Sequence, residues 1–144
     1  MAGYSGTPLP KKLGIKEKFQ VLLLDIPADV KAELNEVLAT CRIVKDGHGP
    51  LDFAMIFVKE AADLKKKFSQ VAKILEPAGM IWVSWPKKAS GLATDLTEND
   101  VRRIGLQAGL VDVKVCAVNE VWSGLKFVIR VKDRPARVVK SAKP

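Results

Sequence analysis

The chain has 144 residues, 48% of them hydrophobic and 28% charged, which suits one soluble globular domain with enough apolar material for a full core. No apolar run reaches the ~18–20 residues that a membrane span needs, and the first residues lack the apolar stretch of a signal peptide, so a cytoplasmic, non-membrane protein is expected. The net charge of +8 is concentrated at the ends: residues 1–18 hold four lysines against Glu17, residues 132–144 hold five basic residues against Asp133, and the middle is near balance. Basic ends suit contact with nucleic acid or another polyanion, and equally serve as solubilising termini.

In chain order, residues 1–18 read as a basic N-terminal arm. Thr7-Pro8 resembles a helix start and Gly14 a stop, which allows one turn over Pro8–Leu13. Phe19–Asp25 is a continuous apolar run ending in a carboxylate, the pattern of a strand buried on both faces. After Pro27, the residues Val30, Leu34, Val37 and Leu38 define one helical face over Ala28–Thr40. Cys41–Val44 reads as a short second strand and Lys45–Pro50 as a loop.

Leu51–Val58 reads as a third strand and Glu60–Glu76 as a helix with Leu64, Phe68, Val71, Ile74 and Leu75 inward. The run Lys65, Lys66, Lys67 then reads as a solvated face. Pro77-Ala-Gly79 should end that helix and launch a central strand through Trp82 to Pro86. Thr97-Glu-Asn-Asp100 has the spacing of a capping box for a helix reaching Ala108. Leu110–Val118, with Val111, Val113, Val115 and Ala117 on one side, and Val121–Val131 form a closing hairpin. Residues 19–131 thus form a single α/β domain, and residues 132–144 read as a basic, disordered tail.

Two cysteines, Cys41 and Cys116, read as small core hydrophobes, and the single histidine, His48, as a loop residue. Neither supports a metal site, and no nucleophile elbow or other catalytic constellation occurs. The strand that ends Trp85-Pro86-Lys87-Lys88 points to a ligand site, because open α/β sheets bind ligands at the carboxyl ends of their strands. Trp122 and Ser123 are expected beside it, with Asp25 and Lys59 ending neighbouring strands. Two ammonium groups and two indoles suit a small anionic or planar ligand.

The phrases Leu51-Asp-Phe-Ala-Met-Ile-Phe, Leu75-Glu-Pro-Ala-Gly79-Met-Ile-Trp-Val and Ala108-Gly-Leu-Val, with the closing hairpin, resemble the second half of class I methyltransferases. This implies a three-layer Rossmann-like fold, with a mostly parallel sheet closed by a C-terminal antiparallel hairpin. It also makes adenosylmethionine the cofactor to consider. Against it, Leu24-Asp25-Ile26-Pro27-Ala28-Asp29 contains no glycine where such enzymes carry a glycine-rich turn, and a third strand is missing; Asp46 stands where a ribose-binding acid would. Lys12-Leu13-Gly14-Ile15-Lys16, then Ile81-Trp82 with Pro86-Lys87, then Asp112 onward to Trp122-Ser123-Gly124, resemble more closely a bacterial family of uncharacterised proteins, the domain of unknown function numbered 3052, over residues 7–131. That resemblance implies fold and length and brings no catalytic residues.

The reading favoured by these residues is a non-catalytic ligand-binding or protein-interaction domain on a reduced methyltransferase-like scaffold, with no cofactor. An adenosylmethionine- or nucleotide-binding enzyme, and a nucleic-acid-associated protein acting through basic termini, are the alternatives. A homodimer through an exposed edge strand stays open.

Overall fold

The computed structural model describes residues 6–45 and 49–134. Asp46 and His48, and residues 135–144 of the tail, lie outside the described residues. A six-stranded sheet runs in the order β2-β1-β3-β4-β6-β5. Its strands are β1 (Gln20–Leu24), β2 (Arg42–Ile43), β3 (Leu51–Phe57), β4 (Leu75–Pro86), β5 (Leu110–Ala117) and β6 (Trp122–Ile129). The first four are parallel to one another, and β6 runs antiparallel between β4 and β5. The fold is therefore Rossmann-like with the closing hairpin that the sequence leads one to expect, the returning strand inserted beside the central one.

Helices α1 (Leu9–Leu13), α2 (Ala28–Glu33) and α3 (Asn35–Leu38) cover one face, and α4 (Ala61–Ala72) and α5 (Glu98–Gln107) the other. Strands buried on both sides must be apolar in continuous runs, and Phe53 through Phe57 are all nearly inaccessible. The residues before β1 do not stand apart from this core. Leu13 is fully buried, Leu9 and Ile15 nearly so, and the indole Nε1 of Trp82 donates to the Leu13 carbonyl at 2.8 Å.

Four details differ from the periodicity. The helix expected over Ala28–Thr40 breaks at Leu34, giving α2 and α3. The helix expected to reach Glu76 ends at Ala72, and β4 already begins at Leu75, because Leu75 pairs with Leu51 and the Leu51 N–H donates to Ile74 O. Glu76 to Gly79 bulge out between the Leu51 and Phe53 pairings. A Cβ at Gly79 would stand 2.6 Å from the Leu51 carbonyl, so glycine is needed where the strand re-enters register. In β5 a bulge at Val113 shifts the register between Asp112 and Lys114, so Val111 and Val115 face opposite sides. One inserted residue inverts the alternation, which placed them together in the sequence. Lys67, in the run read as solvated, turns toward β1.

The capping box forms as its spacing implies: Asp100 N–H donates to Thr97 Oγ1 at 3.2 Å and Thr97 N–H to Asp100 Oδ2 at 3.0 Å. Both cysteines are free and half-buried. Among the described residues, no helix is long and apolar enough to cross a membrane.

Candidate functional site

The carboxyl edge of the sheet carries a pocket of about 420 Å³, within the ~300–1,000 Å³ typical of small-molecule sites. Its walls come from the ends of β1 and β3, the start of α4 and the start of β6. Asp25 ends β1 with φ of 59°, a left-handed turn that aspartate tolerates better than most residues. Phe57, Val58 and Lys59 end β3. Glu60 and Asp63 open α4, and Trp122 opens β6.

Each wall is held by local bonds. The Lys59 carbonyl accepts from Thr94 Oγ1 at 2.6 Å and from Asp95 N–H at 3.1 Å. Asp95 Oδ1 accepts from the Ala61 N–H at 2.8 Å, capping α4 from a distant loop. Trp122 packs edge-on against Phe57, centroids 5.1 Å apart. Its backbone is fixed by Asn119, whose Oδ1 accepts from both Val121 and Trp122 N–H. Between Asp25 and Asp63 sits Lys67, its Nζ 2.6 Å from one carboxylate and 3.0 Å from the other. Burial pulls the Lys67 ammonium downward, but the hydrogen bonds and charges of Asp25 and Asp63 outweigh it and raise it above its ordinary value.

The pocket thus offers an aromatic wall, three carboxylates (Asp25, Glu60, Asp63) and one lysine in its lining, with Lys67 bridging two of the acids. Such a set accepts hydrogen bonds from hydroxyls and attracts positive charge.

The structure gathers Asp25, Lys59 and Trp122 around this pocket. It places the other predicted residues elsewhere on the same edge. Trp85 pairs with Ser123, and Pro86 with Trp122, so the two strand ends are neighbours. Alternation then puts Trp85 and Ser123 on the α4–α5 face, opposite Trp122. Trp85 is only 5% exposed and packs in the core. The Lys87 N–H donates to Val121 O, tying the turn to β6, while Lys88 opens a 3₁₀ turn, exposed. Neither lysine lines the pocket. Phe57, Glu60, Asp63 and Lys67 were missed. The i, i+4 spacing of Asp63 and Lys67 at the start of the α4 region was the available signal.

The turn Asp25-Ile26-Pro27 does not fit the usual phosphate- or cofactor-cradling turn of this architecture. It has no glycine, Pro27 has no N–H to offer, and α2 behind it has only six residues. Among the described residues, no group of three metal-ligating side chains is placed to hold a metal ion.

The family model of a protein of unknown function, DUF3052, matches residues 11–131. The chain belongs to the DUF3052 family. None of the curated protein sequences compared with it matches. Solved structures similar to this DUF3052 protein include methyltransferases. A SAM-dependent methyltransferase from Aquifex aeolicus has TM-score 0.56 and 16% identity over 81% of this chain and 85% of its own. Magnesium protoporphyrin IX methyltransferase from Synechocystis PCC 6803, with bound SAM, has TM-score 0.55 and 15% identity, covering 84% and 74%. The 1,6-didemethyltoxoflavin-N1-methyltransferase of Burkholderia thailandensis, with bound S-adenosylhomocysteine, has TM-score 0.54 and 14% identity, covering 83% and 73%. At these identities the likeness establishes the fold, and function is argued from the site.

Proposed function

We propose that this DUF3052 protein is a small-molecule-binding domain that catalyses no group transfer. Its ligand class is a planar ring with hydroxyls and a positive charge, the class to which adenosylmethionine belongs. The single observation that supports this is the composition of the edge pocket: Trp122 and Phe57 offer a stacking wall, and Asp25, Glu60 and Asp63 offer acceptors for hydroxyls and cations. The position, at the carboxyl ends of β1 and β3, is where this architecture binds ligands. The absence of catalysis is argued from the described pocket residues: none is a histidine, cysteine or serine, and its bridging lysine is tied to two carboxylates.

The test is calorimetric titration with adenosylmethionine, adenosylhomocysteine and adenosine. Binding that Trp122→Ala weakens at least ~10-fold, about 1.4 kcal/mol, supports the site. Adenosylmethionine should bind more tightly than adenosylhomocysteine, because only the former carries the sulfonium charge. Absence of heat for all three at millimolar concentration refutes the ligand class. Enzyme-dependent conversion of bound adenosylmethionine to adenosylhomocysteine, with an acceptor methylated, refutes the non-catalytic part and favours the methyltransferase reading that the fold supports.

A further inference from the structure

A second charged feature lies away from the pocket, on the face covered by α1. Lys114 of β5 and Lys126 of β6 are direct cross-strand partners. Like charges placed opposite one another on a sheet destabilise it, so such a pair needs a reason. The Lys114 Nζ donates to the Lys12 carbonyl at 3.1 Å, and Lys12 Nζ to the Ala117 carbonyl at 2.9 Å. These bonds hold the Lys114 ammonium at the carboxyl end of α1 and draw the Lys12 ammonium to the end of β5. Lys126 is half-buried, and a Cβ on Gly14 would stand 4.0 Å from its Nζ. Its ammonium has no hydrogen-bond or ion-pair partner among the described residues.

The nearest carboxylate along β5 cannot help. Asp112 lies beyond the bulge, on the opposite face, bound to Arg102 Nε at 2.8 Å. The N- and C-terminal residues 1–5 and 135–144 contain no aspartate or glutamate. Burial lowers the Lys126 ammonium, and the Lys114 charge lowers it further. The same cationic surroundings reach the Cys116 thiol, which burial raises and the charges of Lys12 and Lys114 oppose. Among the described residues, this partly buried ammonium, surrounded by like charge, lacks a counter-ion.

We infer that Lys114 and Lys126, at the end of α1 and with the Lys12 ammonium flanking them at the end of β5, form a binding site for a phosphate-class anion. The ligand is either a free phosphate group or a phosphodiester of a nucleic-acid backbone, which share the chemistry that two or three ammonium groups recognise. The site is independent of the edge pocket and stands whether or not that pocket binds a nucleoside.

The experiment uses the full chain and inorganic phosphate. Its melting temperature is followed in phosphate and in sodium chloride of matched ionic strength. Phosphate at ~20 mM should raise it by at least ~2 °C over chloride, through ligand linkage. Lys126→Met, which keeps the apolar stem and removes the charge, should melt higher than the parent in chloride and lose the phosphate-specific gain. Lys114→Met, at an exposed position, is the second variant and should also lose it. A labelled single-stranded oligonucleotide of ~12 residues separates the two sources: anisotropy binding with a steep salt slope, lost in both variants, assigns the phosphodiester, and phosphate stabilisation without oligonucleotide binding assigns the free group. Equal melting in phosphate and chloride, or a phosphate gain that survives in either lysine variant, overturns the proposal.

Discussion

Gly105 lies inside α5, where glycine is ordinarily a defect. Replacing an interior helical glycine with alanine gains about 1 kcal/mol on propensity alone. Here the sign should reverse. A Cβ at Gly105 would stand 2.1 Å from Phe127 Cε2 and 2.5 Å from Cζ. Carbon atoms need ~3.5–4.0 Å, so the overlap is on the order of 1.5 Å. Phe127 cannot swing away, because it is fully buried and held edge-on by Phe68 at 5.1 Å. The helix would have to lift, opening the packing of Val101 and Ile104, both buried. Overpacking of this kind costs ~1–3 kcal/mol or more, and the overlap puts it at the upper end. Gly105→Ala should therefore lose about 2 kcal/mol net, a fall of about 8 °C in melting temperature for a domain of this size. Urea unfolding followed by circular dichroism measures it. Gly105→Ala combined with Phe127→Leu should recover more than ~1 kcal/mol relative to additivity. A Gly105→Ala variant as stable as the parent refutes this account of how α5 meets the sheet.

Other consequences follow from the same packing. Leu13→Ala should cost ~2–5 kcal/mol in urea unfolding, although it lies in the first fifteen residues, because it removes a fully buried side chain beneath α1. Ser84 is fully buried and its Oγ has no hydrogen-bond partner among the described residues, so Ser84→Ala should gain ~1 kcal/mol by removing a desolvated hydroxyl; a loss of similar size would show that the hydroxyl is satisfied. Asp112 is held below the ordinary carboxylate range by its hydrogen bond from Arg102, against a smaller effect of burial. A carboxylate whose folded value is depressed stabilises the fold above its unfolded value, near ~3.9, and this is lost as pH falls through the lower folded value. The urea midpoint should drop from pH 5 to pH 3, and drop less in Asp112→Asn; an identical pH dependence in the two proteins would exclude the ion pair from acid stability.

The layer order was legible because strand burial leaves a plain trace. Runs such as Leu51–Phe57 have no polar face, and the tight Val118-to-Trp122 connection can only be antiparallel. What was not legible depended on single-residue register. The β5 bulge at Val113 moves Val115 to the other face, and no composition rule marks it. Likewise, the periodicity of Leu64 through Leu75 continues past the point where Leu75 leaves the helix to pair with Leu51. Sequence adjacency also grouped Trp85, Lys87 and Lys88 into one site. Strand alternation takes Trp85 away from Trp122: Trp85 points into the core below α4 and α5, while the aromatic residues at the pocket are Trp122 and Phe57, and Lys87 and Lys88 lie past the end of β4. Lys67 looked like one of three solvated lysines, and only the packing of α4 beside the end of β1 brings it to Asp25.

The central claim is that the carboxyl edge between β1, β3 and Trp122 receives a small molecule. Amide and indole NMR spectra of the ¹⁵N-labelled full chain, titrated with adenosylmethionine, test it most directly. Saturable shifts are expected, centred on the Trp122 indole and on the amides of Asp25, Lys59, Glu60 and Asp63, and absent in Trp122→Ala. Shifts that fail to saturate, or that centre on β2 and β5 while leaving Trp122 unmoved, would contradict it.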